Sequence, residues 1–390
     1  MIYDEIHGFI EINDIEKEII DTPVFQRLRH ITQIGLAYLV YPGATHTRFS
    51  HSIGVLHLAN KVGNNLLREE YLSQDEVQLL RLAALLHDIG HYPLSHSLEI
   101  CLTRLYGERA HHERLTVEIL RRSIIADKLR ENGYEPKDII DILKGSYVNK
   151  LLTQIISSDV DVDKMDYLLR DSKHTGIAYG IIDIDRLVST TAVDNKGDYA
   201  FLEKGLGALE NLYLARLQMY KTVYYHKTVV AFELMLSEIY KELMEQGEIP
   251  SLNEIYRSVS SEESVFFNDH YIYNKIYDII RNEPLYPKDI VKYVRMLISR
   301  KPLKIILDES RYFLIEGEIS LPEGKSLFHR ISLQNGIFNF ETVVHFVRKP
   351  VKIIRGANGL SLVVTSDEVQ SIIKYIPKGL IIKRAYTSTD

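Results

Sequence analysis

The sequence predicts a mainly α-helical fold with a smaller α+β region at its C-terminal end, and three observations carry that reading. Arg48 to Leu66 has apolar residues at helical spacing, and Leu206 to Leu243 reads as one long helix or two joined ones. Val77 to Leu86 is an apolar run broken only by Gln78 and Arg81, the pattern of a largely buried helix. After about Gly247 the character changes to short β-rich runs.

Along the chain, Ile6 to Ile12 reads as two short strands around a His-Gly turn. Gly90 and Pro93 mark the end of the buried helix. Ile155 to Leu169 forms another helical stretch. The expected C-terminal strands are Tyr312–Ile315, Val343–Val347, Val351–Ile354 and Leu360–Val364, with helical pieces at Pro287–Leu297 and Ser366–Tyr375. The resulting division is a helical core over residues 1–250 and an α+β accessory or oligomerisation region over residues 251–390.

Composition narrows the function classes. Of 390 residues, 45% are hydrophobic and 26% charged, enough for a sizeable core in a soluble chain. The net charge of −6 indicates neither a nucleic-acid binder nor a partner of anionic membranes. One cysteine, Cys101, excludes an intrachain disulfide and a thiolate-based metal site. The first residues lack a basic start and an apolar run, and no apolar stretch reaches spanning length, so a cytoplasmic protein is expected.

The chemistry centres on Leu85-Leu86-His87-Asp88-Ile89-Gly90-His91. A lone His-Asp pair says little, but this one ends an apolar helix, where an imidazole and a carboxylate are costly to bury unless something satisfies them. A divalent cation does so. Imidazole and carboxylate ligands suit Mg, Mn, Fe, Ni or Zn. Two residues do not fill a coordination shell, and His51 and Asp163, on separate helical stretches, are the further candidates. Two His and two Asp would leave positions open for water and a phosphate oxygen, as a catalytic centre requires. His7, His46, His57 and His345 are read as structural, and Arg121-Arg122 as a solvated helix face.

The set Arg48…His51, His87-Asp88 and Asp163 resembles the metal motif of the HD-domain superfamily. The stretches Asp21–Arg29, Tyr41–Phe49, His87–His96, Asp161–Asp171 and Tyr224–Lys227 narrow it. Together they are similar to the dGTPase-like deoxynucleoside triphosphate triphosphohydrolases, which include a vertebrate member with a sterile-alpha-motif domain. The resemblance covers roughly residues 4 to 230, and no sterile-alpha-motif segment is recognised. It implies a homo-oligomer, dimer or tetramer, that cleaves a dNTP between the α-phosphorus and the 5′-oxygen, giving deoxynucleoside and inorganic triphosphate.

By motif position the resemblance makes His51, His87, Asp88 and Asp163 the metal ligands, and His91, His96, Glu99 and His112 the catalytic group. Glu99 stands where relatives have Asp, and His96 matches a histidine near the leaving oxygen. Arg48, Lys164, Tyr167, Asp171 and Arg216 match phosphate and sugar positions, and Gln33, Ile34 and Tyr224 match positions around the base and sugar. Asp21, Gln26, Arg29 and Arg186 match a site for an activating dGTP or GTP, although Phe9 replaces a polar position there. The alternatives are an HD phosphohydrolase acting on a monophosphate, cyclic dinucleotide or guanosine polyphosphate, and a non-catalytic nucleotide sensor.

Overall fold

The computed structural model describes residues 1–313, 327–347, 351–357, 360–368 and 371–388. Strands β1 (Ile2–Asp4) and β2 (Gly8–Ile10) pair as a small antiparallel hairpin. The strands lie slightly N-terminal to the sequence expectation. The Asp4 carboxylate accepts from the Ile6 and His7 amides, which fixes the turn at Glu5–His7.

The helical core follows: α1 (Asp14–Ile20), α2 (Pro23–Gln26), α3 (Arg48–Arg68), α4 (Gln74–Leu86), α5 (His96–Tyr106), α6 (His112–Arg122), α7 (Ile124–Glu131), α8 (Pro136–Lys144), α9 (Lys150–Ile156), α10 (Val162–Thr175) and α11 (Ile184–Ser189). The apolar run on α4 is buried as its pattern predicted, and α4 packs along α3. Thr22 caps α2; its hydroxyl accepts from the Phe25 amide, and Asp21 closes α1. The stretch expected as one helix over Ile155–Leu169 is two. Asp161 accepts from the Ser158 and Lys164 amides, breaking the chain after Ile156 and starting α10 at Val162.

A hairpin of β3 (Thr191–Val193) and β4 (Tyr199–Leu202) precedes α12 (Leu206–Met219) and α13 (Lys227–Glu245). These two helices are joined through a π turn at Tyr220–Tyr224. Then come α14 (Leu252–Ser258), α15 (Asp269–Arg281) and α16 (Lys288–Ile298). Strands β5 (Lys304–Asp308), β6 (Arg311–Phe313), β7 (Leu327–Gln334), β8 (Ile337–His345), β9 (Lys352–Ala357), β10 (Leu360–Thr365) and β11 (Gly379–Thr387) complete the chain.

One sheet has the order β5-β11-β8-β7, with β6 also on β11; the other runs β10-β9-β4-β3, so a C-terminal strand pairs with the hairpin of the helical core. The expected strand residues Leu314 and Ile315 lie outside the described residues. The helix expected over Ser366–Tyr375 is a turn at Ser366–Glu368 and a 3-10 turn at Ile372–Tyr375; Pro377 lies just beyond, and residues 369–370 are outside the described ones. A continuous apolar core runs from Ile10 through α3, α4 and α13 to Phe338, Phe346 and Tyr386. Among the described residues no helix is long and apolar enough to cross a membrane.

Helices α3 and α10 approach closely at Gly54, where an added Cβ would land on Asp166 Oδ1 and Arg170 Nη2. These groups are buried and cannot swing away. Gly54→Ala is therefore expected to lower stability by about 1–3 kcal/mol, as overpacking does, measured by thermal or denaturant unfolding. An unchanged midpoint would contradict the close approach.

Candidate metal centre and its histidine cluster

Three helices deliver the four expected ligands to one place. His51 lies in the first turn of α3, His87-Asp88 follows the last turn of α4, and Asp163 lies in the first turn of α10. His51 Nε2 is 3.1 Å from Asp163 Oδ1 and 3.6 Å from Asp88 Oδ2. His87 Nε2 is 3.4 Å from Asp88 Oδ1 and 3.7 Å from Asp163 Oδ1.

The remaining ring nitrogens are already committed. His51 Nδ1 pairs with Asp166 Oδ2 at 2.8 Å, and His87 Nδ1 with the Ala84 carbonyl at 2.8 Å. With the proton on each Nδ1, both Nε2 lone pairs face the carboxylates, and both Nε2 atoms are buried without a hydrogen-bond partner. The residues fit a divalent cation: two neutral imidazoles and two carboxylates converge, and two buried donor atoms have no other use. Electrostatics agree. Burial alone would depress His51, yet Asp163 and Asp166 raise it to about 10, so the cage favours positive charge. A metal entering it must displace that proton.

The sequence assigned Asp166 no role, and the structure gives it two. It orients His51, and with Asp4 it holds Arg170, a fully buried guanidinium. His7 Nε2 also meets Asp166 at 2.7 Å. An unassigned acid three residues after Asp163, one turn further along the same helix, was the only available signal.

Beside the centre lies a second group. Glu99, one turn into α5, pairs through Oε2 with His96 Nδ1 at 2.8 Å and through Oε1 with His112 Nδ1 at 2.9 Å; it also accepts the His112 amide. The His91 and His112 rings stack 3.8 Å apart, and His96 stands edge-on to both. His91 Nε2 is 3.3 Å from Asp88 Oδ1, linking the two groups. Burial, with Arg48 and His112 nearby, pushes His91 well below the usual imidazole range. Burial would also depress His112, but the Glu99 carboxylate raises it to about 9. Glu99, which burial would raise, is held well below the carboxylate range by His112. Arg104 pairs with Glu238, leaving Glu99 to the histidines.

The expected substrate residues divide by their surroundings. Arg48, 4% exposed, donates to Asp88 Oδ2 at 2.6 Å, to Ser95 Oγ and to the Gln33 carbonyl, so it ties the loop bearing Asp88 and Ser95 to the loop bearing Gln33. Gln33 is buried with Oε1 unpartnered, and Ile34 opens the following 3-10 turn. Lys164 turns back onto Asp161 at 2.7 Å. Asp171 accepts from Tyr224 at 2.8 Å and pairs with His46 at 2.7 Å, and Tyr167 meets Tyr224 edge-on. Arg216 donates to the carbonyls of Phe346 and His345, which ties it to the end of β8.

Of the residues matched to an effector site, Arg29 covers the Phe49 ring at 3.5 Å and donates to Gln26, which in turn donates to the Ile20 carbonyl. Asp21 and Arg186 are exposed. Arg186 makes no hydrogen bond or ion pair with Asp21, Gln26 or Arg29 among the described residues.

This arrangement of His and Asp on a helical core is that of an HD-domain protein. The HD domain family matches residues 48–171, and the HD associated region matches residues 182–311. The chain is 42% identical over 253 residues to an uncharacterized protein of Methanocaldococcus jannaschii, covering 63% of this chain and 51% of that one. It is 30% identical over 324 residues to the deoxynucleoside triphosphate triphosphohydrolase SAMHD1 of Homo sapiens, covering 74% of this chain and 51% of that protein. The chain thus spans about half the length of these curated relatives. Among solved structures, a phosphohydrolase from Bacteroides thetaiotaomicron superposes with a TM-score of 0.79 at 26% identity, over 100% of this chain and 99% of that one.

Two outcomes follow. Asp166→Asn keeps all four ligands but weakens the hold on His51, so metal affinity is expected to fall roughly 10–100-fold, read by competition with a chelating dye; unchanged affinity would remove Asp166 from the centre. The Glu99–His112 pair sets a pH dependence. The His112 value is raised from 6.5 to about 9 on folding, so its contribution to stability is complete below pH 6.5 and is lost as pH rises through about 9. In Glu99→Gln the His112 NMR titration midpoint is expected to fall well below 9, because burial is then opposed only by the weaker pull of Asp88 and Glu113; a midpoint still near 9 would contradict the assignment.

Proposed function

We propose that the protein is a metal-dependent phosphohydrolase that converts deoxynucleoside triphosphates to deoxynucleosides and inorganic triphosphate. The observation that carries the reading is the adjacency of two groups. His51, His87, Asp88 and Asp163 converge with unpartnered nitrogens, and the His91–His96–Glu99–His112 cluster lies against Asp88. The triphosphate product is favoured by the likeness to the SAMHD1 triphosphohydrolases.

A divalent ion bound at the four ligands would lower the pKa of a water and polarise a phosphate oxygen. The protein's own residues do the rest. His96 is more than half exposed at its side chain, while its Nδ1 is fixed by Glu99, so its Nε2 is free to give a proton to a leaving alkoxide. His112, kept protonated by Glu99, supplies positive charge where a phosphate would sit. His91 stays neutral between Asp88 and His112. Tyr167 and Tyr224, braced by Asp171, form a wall suited to a sugar ring. A non-catalytic sensor would have no use for a proton donor held this way.

The test is incubation of the purified protein with each dNTP and with Mg, Mn, Fe, Ni or Zn, followed by separation of products. Inorganic triphosphate with deoxynucleoside is expected; phosphate or pyrophosphate would point to another substrate class. His96→Ala is expected to slow turnover by roughly 10²–10⁴-fold with metal content unchanged, and parallel loss of metal and rate would make His96 a structural neighbour.

A further inference from the structure

The loop between the metal ligands and α5 has an unusual backbone. Leu94 and Ser95 both adopt positive φ, +56° and +50°, although neither is glycine. Such conformations are costly and persist only where neighbours over-determine them. This is also the loop that aims His96, the first residue of α5.

What holds it comes from outside the HD domain. Asp269, the first residue of α15 and 5% exposed, accepts the Leu94 amide through Oδ1 at 2.6 Å. Its other oxygen, Oδ2, accepts both the amide and the hydroxyl of Thr32, at 2.9 and 2.8 Å. Thr32 precedes Gln33 and Ile34, and its carbonyl accepts from Ser95 Oγ, so the two loops are also stitched to each other. Two residues before Asp269, the Phe267 carbonyl accepts from Arg27 Nη1 at 3.1 Å. Arg27 Nη2 donates to the Ile89 and His91 carbonyls, both at 2.9 Å. This guanidinium is 3% exposed and forms no ion pair among the described residues; its hydrogen bonds go to three backbone carbonyls. Burying a cation in that way is expensive unless those bonds are made.

We propose that Asp269 and Arg27 form a positioning latch, by which the corner at Phe267–Asp269 fixes the loops bearing His91, His96 and Gln33 for catalysis. Neither residue is a catalytic residue; each acts through backbone groups of the loops it holds. The inference rests on the proposed hydrolase reading only for its consequence on rate, and not for the contacts themselves.

The test uses the full chain loaded with Mn and the near-isosteric variant Asp269→Asn, which keeps shape but replaces one accepting oxygen with a donor. Arg27→Lys, which keeps the charge but cannot span two carbonyl sites, is the second variant. Hydrogen exchange by mass spectrometry reads the latch directly. Exchange is expected to quicken at least 10-fold in peptides covering 31–36 and 90–99, with peptides from α12 unchanged. Turnover of dNTP is expected to fall at least 10-fold at constant metal content. Turnover of bis-p-nitrophenyl phosphate, whose leaving group needs no proton, should fall less. Unchanged exchange in both loops, or equal losses on both substrates together with loss of metal, would overturn the proposal. If the unaltered protein cleaves no dNTP, the hydrolase reading fails and exchange alone decides the latch: quickening confined to the two loops upholds it, and unchanged exchange overturns it.

Discussion

A carboxylate at the end of a buried helix is costly unless its charge is compensated, and Asp88 is compensated from four sides. Arg48 reaches Oδ2 at 2.6 Å, and His51 lies 3.6 Å from the same oxygen. His87 and His91 approach Oδ1 at 3.4 and 3.3 Å. The four contacts arrive on three segments: Arg48 and His51 from the start of α3, His87 from the end of α4, and His91 from the loop that follows. The positions of these segments are thus set by a single anion, held well below the usual carboxylate range by His87, Arg48 and His91 against the opposing effect of burial.

Around that anion the protein places charges in graded layers. Asp166 turns His51 and is neutralised by Arg170, which is also fixed by Asp4. The N-terminal hairpin is therefore part of the support of the centre, although it lies far from it in sequence. On the other side, Glu99 gathers His96, His111 and His112, so that a protonated and a neutral imidazole stack within van der Waals distance. Two like charges could not share that stack cheaply, and His112 adds to the depression of His91 that burial and Arg48 already impose.

Much of this was legible in the sequence, for reasons that differ by residue. His87 and Asp88 stood out because two polar groups ended a run such as Val77–Leu86, and a helix boundary is a local property. His51, Asp163 and the His91–His112 group were carried by motif order, which preserves distant neighbours that periodicity does not reveal. The break at Ser157–Asp161 was missed because apolar spacing continues across it, while the cap that makes it is one aspartate. Strands β3 and β4 were missed because they are only three and four residues long; they pair with each other as a hairpin, and the further partner of β4, strand β9, lies about 150 residues later and leaves no local signal. Arg216 matched a phosphate position, yet here its donors meet carbonyls of the C-terminal region. Asp269 and Arg27 were illegible for the same reason: each acts on backbone atoms of another segment, and backbone atoms carry no sequence.

The central claim is that His51, His87, Asp88 and Asp163 together hold one divalent ion. Anomalous diffraction from crystals of the Mn-loaded protein, recorded on either side of the manganese edge, tests it most directly. The expected result is a strong peak in contact with His51 Nε2, His87 Nε2 and the carboxylates of Asp88 and Asp163. A peak elsewhere, or none at this position in crystals of a protein that hydrolyses its substrate, would contradict the account.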